Sequence, residues 1–348
     1  MGIWNGSTIN SIETAMLFNR MYNMKSISLT QKNRPLAFAA LGRPQWASTP
    51  NGVTGFKKLR RPTGKKVEIR MRGKKITPSY TARGSAELAT VNLASNYATD
   101  IWGAMEFDIA HITYTHPIPH SDLDRIRGKE AKTLDYLDEI YDLLDESYDA
   151  FWSLDSSKGI HGTTAPSDTA IGGWVQMVSD GVSTGETGYA VYGTIDRSDS
   201  ANADMRSLVV DAGNALNLKT IRDAQNTIKS KGGKPRLAVV DVASYSQLQV
   251  MLESYTVLDQ RSDWTEFGGD WIKYGNMVFA MDADCPANTM GIFDPEHIIF
   301  WLSDGDPFTK YGVVNDPSRV STYVIQTEMY GQMLTDKCNA HAKIKNLF

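Results

Sequence analysis

The chain has 348 residues, 41% of them apolar and 10% aromatic, which is enough for a real core in two or three domains and excludes wholesale disorder. A formal net charge of −4 excludes a protein that coats nucleic acid through its overall charge, leaving only local patches for that role. Two cysteines make no disulfide framework and fit the free thiols of a reducing cytoplasm, and no run approaches the roughly 18 apolar residues of a membrane span.

Residues 1–56 are mixed. An amphipathic piece from Ile12 to Met21 gives way to polar, proline-containing sequence without a sustained period. Such a segment is expected to be an extended arm that needs a partner to order it.

Lys57 to Lys75 reads KKLRRPTGKKVEIRMRGKK, with ten basic residues against Glu68, a net +9. A solvated loop and a phosphate contact both account for the charge. The periodicity adds a third account. Val67, Ile69 and Met71 alternate with Lys66, Glu68, Arg70 and Arg72, and further on Met105, Phe107 and Ile109 alternate with Glu106 and Asp108. Each is a strand with one apolar face. Paired antiparallel, they would set cations against carboxylates, worth roughly 0.2–1 kcal/mol per pair. Residues 57–115 are therefore expected to form a long two-stranded projection. A lone hairpin is marginal in water, so this one needs something to lie on.

The most marked helix follows. Ser121 is an N-cap with acidic residues behind it. Leu134, Leu137, Tyr141, Leu144, Tyr148 and Phe151 form one stripe at alternating three- and four-residue spacing. Unbroken from Ser121 to Leu154, the helix would be about 50 Å long. Its polar face carries Asp135, Asp138, Glu139, Asp142, Asp145, Glu146 and Asp149, with no Lys or Arg between Thr133 and Asp149. Seven like charges repel unless cations arrive from elsewhere. A cationic projection and an anionic helix in one chain point to contact between copies.

Beyond it, residues 157–205 are rich in Gly, Ser and Thr, and Gly181, Gly185 and Gly188 do not make a phosphate-binding loop. Asn217 to Lys231 is an amphipathic helix closed by Gly232-Gly233. Leu237 to Val242 is a buried strand, and Ala243 to Tyr255 a second helix. Strands are expected at 271–281 and 288–302, and again around Tyr323 to Met329 and Cys338 to Ile344, where Cys338 would lie on an apolar strand face. The fold class is α+β.

The stretch MDADCPANTMGIFDPEHIIFWL, Met281 to Leu302, gathers chemically active side chains. Asp282 and Asp284 with His297 make the candidate set of a metal-dependent hydrolase. The competing account is two short strands whose carboxylates sit in solvated turns marked by Pro286 and Pro295. No HExxH, paired CxxC, Walker motif or Gly-x-Ser-x-Gly elbow is present. His116 and His120 share an i,i+4 spacing, but Pro117 and Pro119 deny them a helix.

The order of these segments resembles the major capsid proteins of tailed bacteriophages, whose fold is named after phage Hong Kong ninety-seven and recurs in encapsulin shells. The likeness is carried by the arm and hairpin ahead of SDLDRIRGKEAKTLDYLDEIYDLLDESYDAFWSLDSSKGIHG and by AIGGWVQMVSDG. It continues in YAVYGTIDRSDS, which resembles a Gly-x-Asp-Arg segment of these coats, in LKTIRDAQNTIKSKGGKPRLAVVDVASYSQLQVML, and in YGNMVFAMDADCPANTMGIFDPEHIIFWL.

The resemblance implies an N-terminal arm (1–56), an E-loop hairpin (57–115), a P-domain spine helix (116–159), an A domain (160–302) and P-domain C-terminal strands (303–348). It implies a non-enzymatic protein without a cofactor that self-assembles into hexamers and pentamers of an icosahedral shell around double-stranded DNA. That places it in the virion, assembled in the cytoplasm of a bacterial host, with a portal at one vertex and no membrane partner. With about 56 residues ahead of the hairpin, a separate scaffolding protein is expected. The implied contacts between subunits run from Lys65, Lys66, Arg70, Arg72, Lys74 and Lys75 to Asp135, Asp138, Glu139, Asp142, Asp145, Glu146 and Asp149. An encapsulin-like shell around protein cargo is the alternative within this fold.

Overall fold

The computed structural model describes residues 57–60, 66–70, 104–119, 159–253, 271–302, 309–315 and 322–348. The expected N-terminal arm, the distal part of the projection and the acidic helix fall outside the described residues. What is described mixes strands and helices in two large sheets and two two-stranded ribbons, one of them β5 (Val191–Tyr192) with β6 (Ile195–Asp196).

The first sheet is built on a long strand, β14 (Thr322–Thr335). It pairs antiparallel with β13 (Thr309–Asn315) and with β4 (Ala110–Pro119). Its C-terminal end pairs with β12 (Ile298–Leu302), which lies parallel to β1 (Lys57–Arg60). The predicted pairing of the two alternating segments is present. β2 (Lys66–Arg70) and β3 (Ala104–Asp108) are antiparallel, with Val67 opposite Phe107 and Ile69 opposite Met105.

The second sheet has the order β7-β15-β11-β8-β10-β9. Its strands are β7 (Leu208–Asp211), β8 (Leu237–Val240), β9 (Trp271–Tyr274), β10 (Met277–Met281), β11 (Thr289–Phe293) and β15 (Ala342–Lys345). β8 is central and wholly buried, as an unbroken apolar run requires. Side-chain alternation gives the sheet two working faces. Leu237, Val239, Val278 and Ala280 point into one core, which they share with Phe300, Trp301 and the β2–β3 hairpin. Ala238, Val240, Met277 and Phe279 point into the other, beneath the helices.

Three α-helices are described: α1 (Trp174–Met177), α2 (Leu218–Ser230) and α3 (Val242–Glu253). Asn217 caps α2 by accepting the Thr220 N–H at 2.9 Å. Ile221, Ala224 and Ile228 bury one stripe of it, and Gly232 ends it at φ +77°. α1 lies on the opposite face of the sheet. Gly173 precedes it because a Cβ there would stand 1.9 Å from the Gly162 carbonyl oxygen.

One expected strand is shorter than its alternation suggests. Cys338–Ala340 is a 3-10 turn, and β15 starts only at Ala342. The chain leaves one sheet at Thr335 and must turn to enter the other. Asn339 secures the turn by donating to the Asp204 carbonyl at 2.6 Å. Cys338 is buried there as expected, within a turn rather than on a strand face.

Candidate functional site

The base of the projection is the first candidate surface. Its apolar side chains, Val67, Ile69, Met105 and Phe107, are all buried. Phe107 meets Tyr192 edge-on at 4.9 Å between ring centroids. Gly193, at φ +61°, lets that ring approach, since a Cβ would sit 3.0 Å from it. The hairpin base thus rests on its own chain. Its polar face is less ordered by charge than expected. Lys66 faces Asp108 but reaches diagonally to Glu106 at 3.5 Å, while Glu68 lies directly opposite Glu106. Lys66 and Glu106 are both well exposed, so their pair is worth at most about 1 kcal/mol.

Arg70 closes β2 opposite Ala104. Lys65, Arg72, Lys74 and Lys75 lie outside the described residues, as do Asp135, Asp138, Glu139, Asp142, Asp145, Glu146 and Asp149. A cleft of about 370 Å³ opens beside the hairpin base, lined by Lys66, Glu106, Asp108, Gln176 and Val191 among others.

Buried polar groups hold the layers around that base together. The amide of Gln332, fully buried on β14, accepts the Gly172 N–H at 2.6 Å and donates to the carbonyls of Asp108, Ser167 and Ala170. Arg197, equally buried, donates to the carbonyls of Met177 at 2.8 Å, Gln176 at 2.9 Å and Tyr189, and its guanidinium stacks 5.2 Å from the Tyr192 ring. Lys343 makes a buried ion pair with Glu186 at 2.7 Å and donates to the Val175 carbonyl at 2.9 Å. Burial lowers the pKa of Lys343, against the opposing pull of Glu186. Lys345 also reaches Glu186 at 3.4 Å. Arg197 and Lys343 tie down the segment from α1 to Arg197, adding polar bonds to the packing of its buried Trp174, Val175, Met177, Val178, Tyr192 and Ile195, while Gln332 holds the stretch just before it.

The stretch around Met281–Leu302 corrects the expectation that solvated turns explain its carboxylates. Asp282 and Asp294 are buried. Asp282 lies 3.3 Å from His161 Nε2, and Trp174 Nε1 donates to His161 Nδ1 at 2.8 Å. The indole therefore fixes the imidazole proton on Nε2, facing the carboxylate. Both ring nitrogens are engaged within the buried core, tying α1 to the turn after β10.

Asp294 accepts the N–H groups of Lys234 at 2.7 Å and Glu296 at 3.0 Å, capping the 3-10 turn Pro295–His297. His297 Nδ1 faces Asp336 at 2.8 Å. The hydrolase set is thus divided: Asp282 belongs to the His161 pair, His297 to the Asp336 pair, and Asp284 donates its N–H to Asp282 at 3.1 Å. Among the described residues, no group of three His, Cys, Asp or Glu side chains is placed to hold a metal ion. His341, buried nearby, accepts the Asp294 N–H on Nδ1 at 3.3 Å and turns Nε2 to Thr335 Oγ1 at 2.9 Å. Burial lowers its pKa to about 3.

No protein-family model and no curated protein sequence matches the chain. Solved structures do match its fold. The cyanophage A-1(L) capsid asymmetric unit aligns over 84% of this chain and 90% of its own, with a TM-score of 0.56 at 12% identity. The capsid of the empty GTA particle aligns over 84% and 88%, with a TM-score of 0.51 at 11% identity. The native GTA particle aligns over the same shares, with a TM-score of 0.50 at 9% identity. The chain has the fold of a phage capsid protein.

Within that capsid fold, the residues that sequence reasoning passed over are the buried polar ones. Gln332, Arg197 and Lys343 lie in strands or turns where alternation alone does not separate a buried polar side chain from a solvated one. A signal was present for Arg197. It sits in the YGTIDRSDS segment that carried part of the family likeness, and a basic residue among small turn residues is a ready donor to their carbonyls.

Proposed function

We propose that the chain is a major capsid protein, a subunit that self-assembles into hexamers and pentamers of an icosahedral shell enclosing double-stranded DNA. The observation that carries this is the capsid fold over 84% of the chain. The function is geometric and non-enzymatic. The buried acid–histidine pairs support this, because their groups are committed to one another and to backbone rather than to a cleft.

In this function residues 1–56 are the arm, 57–115 the E-loop, 116–159 the spine helix, 160–302 the A domain and 303–348 the returning P-domain strands. The E-loop of one subunit lies across its neighbour and supplies cations to the spine helix. The partners are further copies of the chain, a separate scaffolding protein, a portal at one vertex and packaged DNA held by non-specific contact. The site of action is the virion, after assembly in the host cytoplasm.

The test is electron microscopy and light scattering of the purified full-length protein, alone and co-expressed with its scaffolding partner. Closed particles of uniform diameter are expected. A chain that stays monomeric under both conditions sinks the proposal, and particles filled with protein cargo instead of DNA would move it to the encapsulin-like alternative.

A further inference from the structure

Charge and exposed apolar side chains are divided between the two faces of the six-stranded sheet. One face is covered by residues 174–205, whose Trp174, Met177, Tyr192 and Met205 pack with Leu237 and Val239. That layer exposes Asp196, Asp199 and Asp204, with Asp180 half-buried, and it exposes Val182 and, at the cleft beside the hairpin base, Val191. Asp180, Asp196 and Asp199 are held by N–H groups and hydroxyls of their own turns. Arg206 beside them donates to the carbonyls of Arg197, Ser198 and Asp199. Burial pushes the pKa of Asp180 up, but bonds from Ser183 and Val182 together outweigh it and lower the pKa, and Ser198 lowers that of Asp196, so both stay ionised at neutral pH.

The helix face has the opposite character. α2 exposes Lys219, Arg222 and Lys229 against Asp223, with Lys231 half-exposed at its C-terminal cap. α3 exposes Val242 and Val250, and its other exposed positions up to Val250 are uncharged. Of the five large hydrophobic side chains exposed among the described residues, four lie on these two faces, two on each. The sheet between them prevents the faces from meeting within one chain. Copies docked in the same sense bring them together.

We propose that the loop face of one copy, bearing Asp196, Asp199, Asp204, Val182 and Val191, docks on the α2–α3 face of the next. The contact is heterologous, so it repeats in one direction, and the closed capsomer of the proposed function is the ring it would build. It rests on the shell-forming function above and gives the capsomer ring a polarity. The buried clamps fit this role. Arg197 and the Lys343–Glu186 pair rigidify this layer from within, and a preorganised surface loses less entropy on docking. The valines supply apolar contact, and the charges set register and disfavour the reversed orientation.

The test uses full-length protein and particle yield by light scattering and electron microscopy, with folding checked by thermal melting. Asp196→Lys with Asp204→Lys should lower particle yield tenfold or more, and so should Lys219→Glu with Lys229→Glu. The chain carrying all four substitutions restores complementarity and should assemble at least tenfold better than either pair. Wild-type-like assembly of a folded single-face variant overturns the proposal. So does failure of the folded four-site variant to recover. Failure of the wild-type chain to form particles would instead strike the shell-forming function itself.

Discussion

Arg197 shows how a single residue is committed in this fold. Its guanidinium is fully buried and answers the carbonyls of Met177, Gln176 and Tyr189. Arg197→Leu leaves those acceptors without their donor, so a loss of about 3 kcal/mol is expected, read as a lower urea midpoint with an unchanged slope. A midpoint shift well under 1 kcal/mol would show that water replaces the guanidinium.

His341 makes a different prediction, in pH. Its folded pKa is lowered to about 3 from an ordinary 6.5. Between those values the unfolded chain binds the proton and the folded chain does not, so stability rises with pH across that window. The contribution is complete above about pH 6.5 and falls as the pH drops, by up to about 1.4 kcal/mol per unit. The groups facing the ring are the Asp294 N–H, the Thr335 hydroxyl and the Phe293 ring, with His297 and Lys337 near enough to oppose its protonation. His341→Asn should flatten the change in urea midpoint between pH 7 and 5. An equal change in both proteins assigns the acid sensitivity elsewhere.

Among the elements, the β2–β3 hairpin is the most informative. Alternation of apolar and charged residues identified both strands and their antiparallel pairing. It also showed that the apolar face needs support. It did not show that the support is Tyr192 and the chain's own core, because a period locates a face without naming what covers it. The helix of α2 was legible from its stripe and its Gly-Gly stop, and β8 from its unbroken apolar run. The turn at Cys338–Ala340 was not, since small residues alternate equally well in a strand. The burial of Asp282 was hidden for another reason: its partners, His161 and through it Trp174, are more than a hundred residues away in sequence. Phe107→Ala tests the hairpin. Removing the ring costs about 3–5 kcal/mol and leaves a cavity against Tyr192. Hydrogen exchange should quicken in residues 66–70 and 104–108 before the six-stranded sheet is affected. Simultaneous loss across both would make the hairpin base part of one cooperative unit with that sheet.

For the whole molecule, the question is where the charge of the projection is answered. The described part of the hairpin settles little of its own charge, for Lys66 makes one exposed pair with Glu106 and Glu68 faces another carboxylate. In the spine helix proposed above, Asp138 and Asp142 would lie in a stretch with no Lys or Arg between Thr133 and Asp149. If the E-loop of one subunit reaches that helix on the next, reversing the cations places like charges together at every repeat of the ring. Lys66→Glu with Arg70→Glu should therefore block particle formation in a chain that still folds. Asp138→Lys with Asp142→Lys, added to the same chain, should restore part of it. Attraction of this kind is screened beyond about 8 Å at physiological ionic strength, so assembly should also weaken as salt rises. Particles that form equally well from the reversed chain, in low salt and in high, would place the E-loop contact on apolar or backbone groups instead.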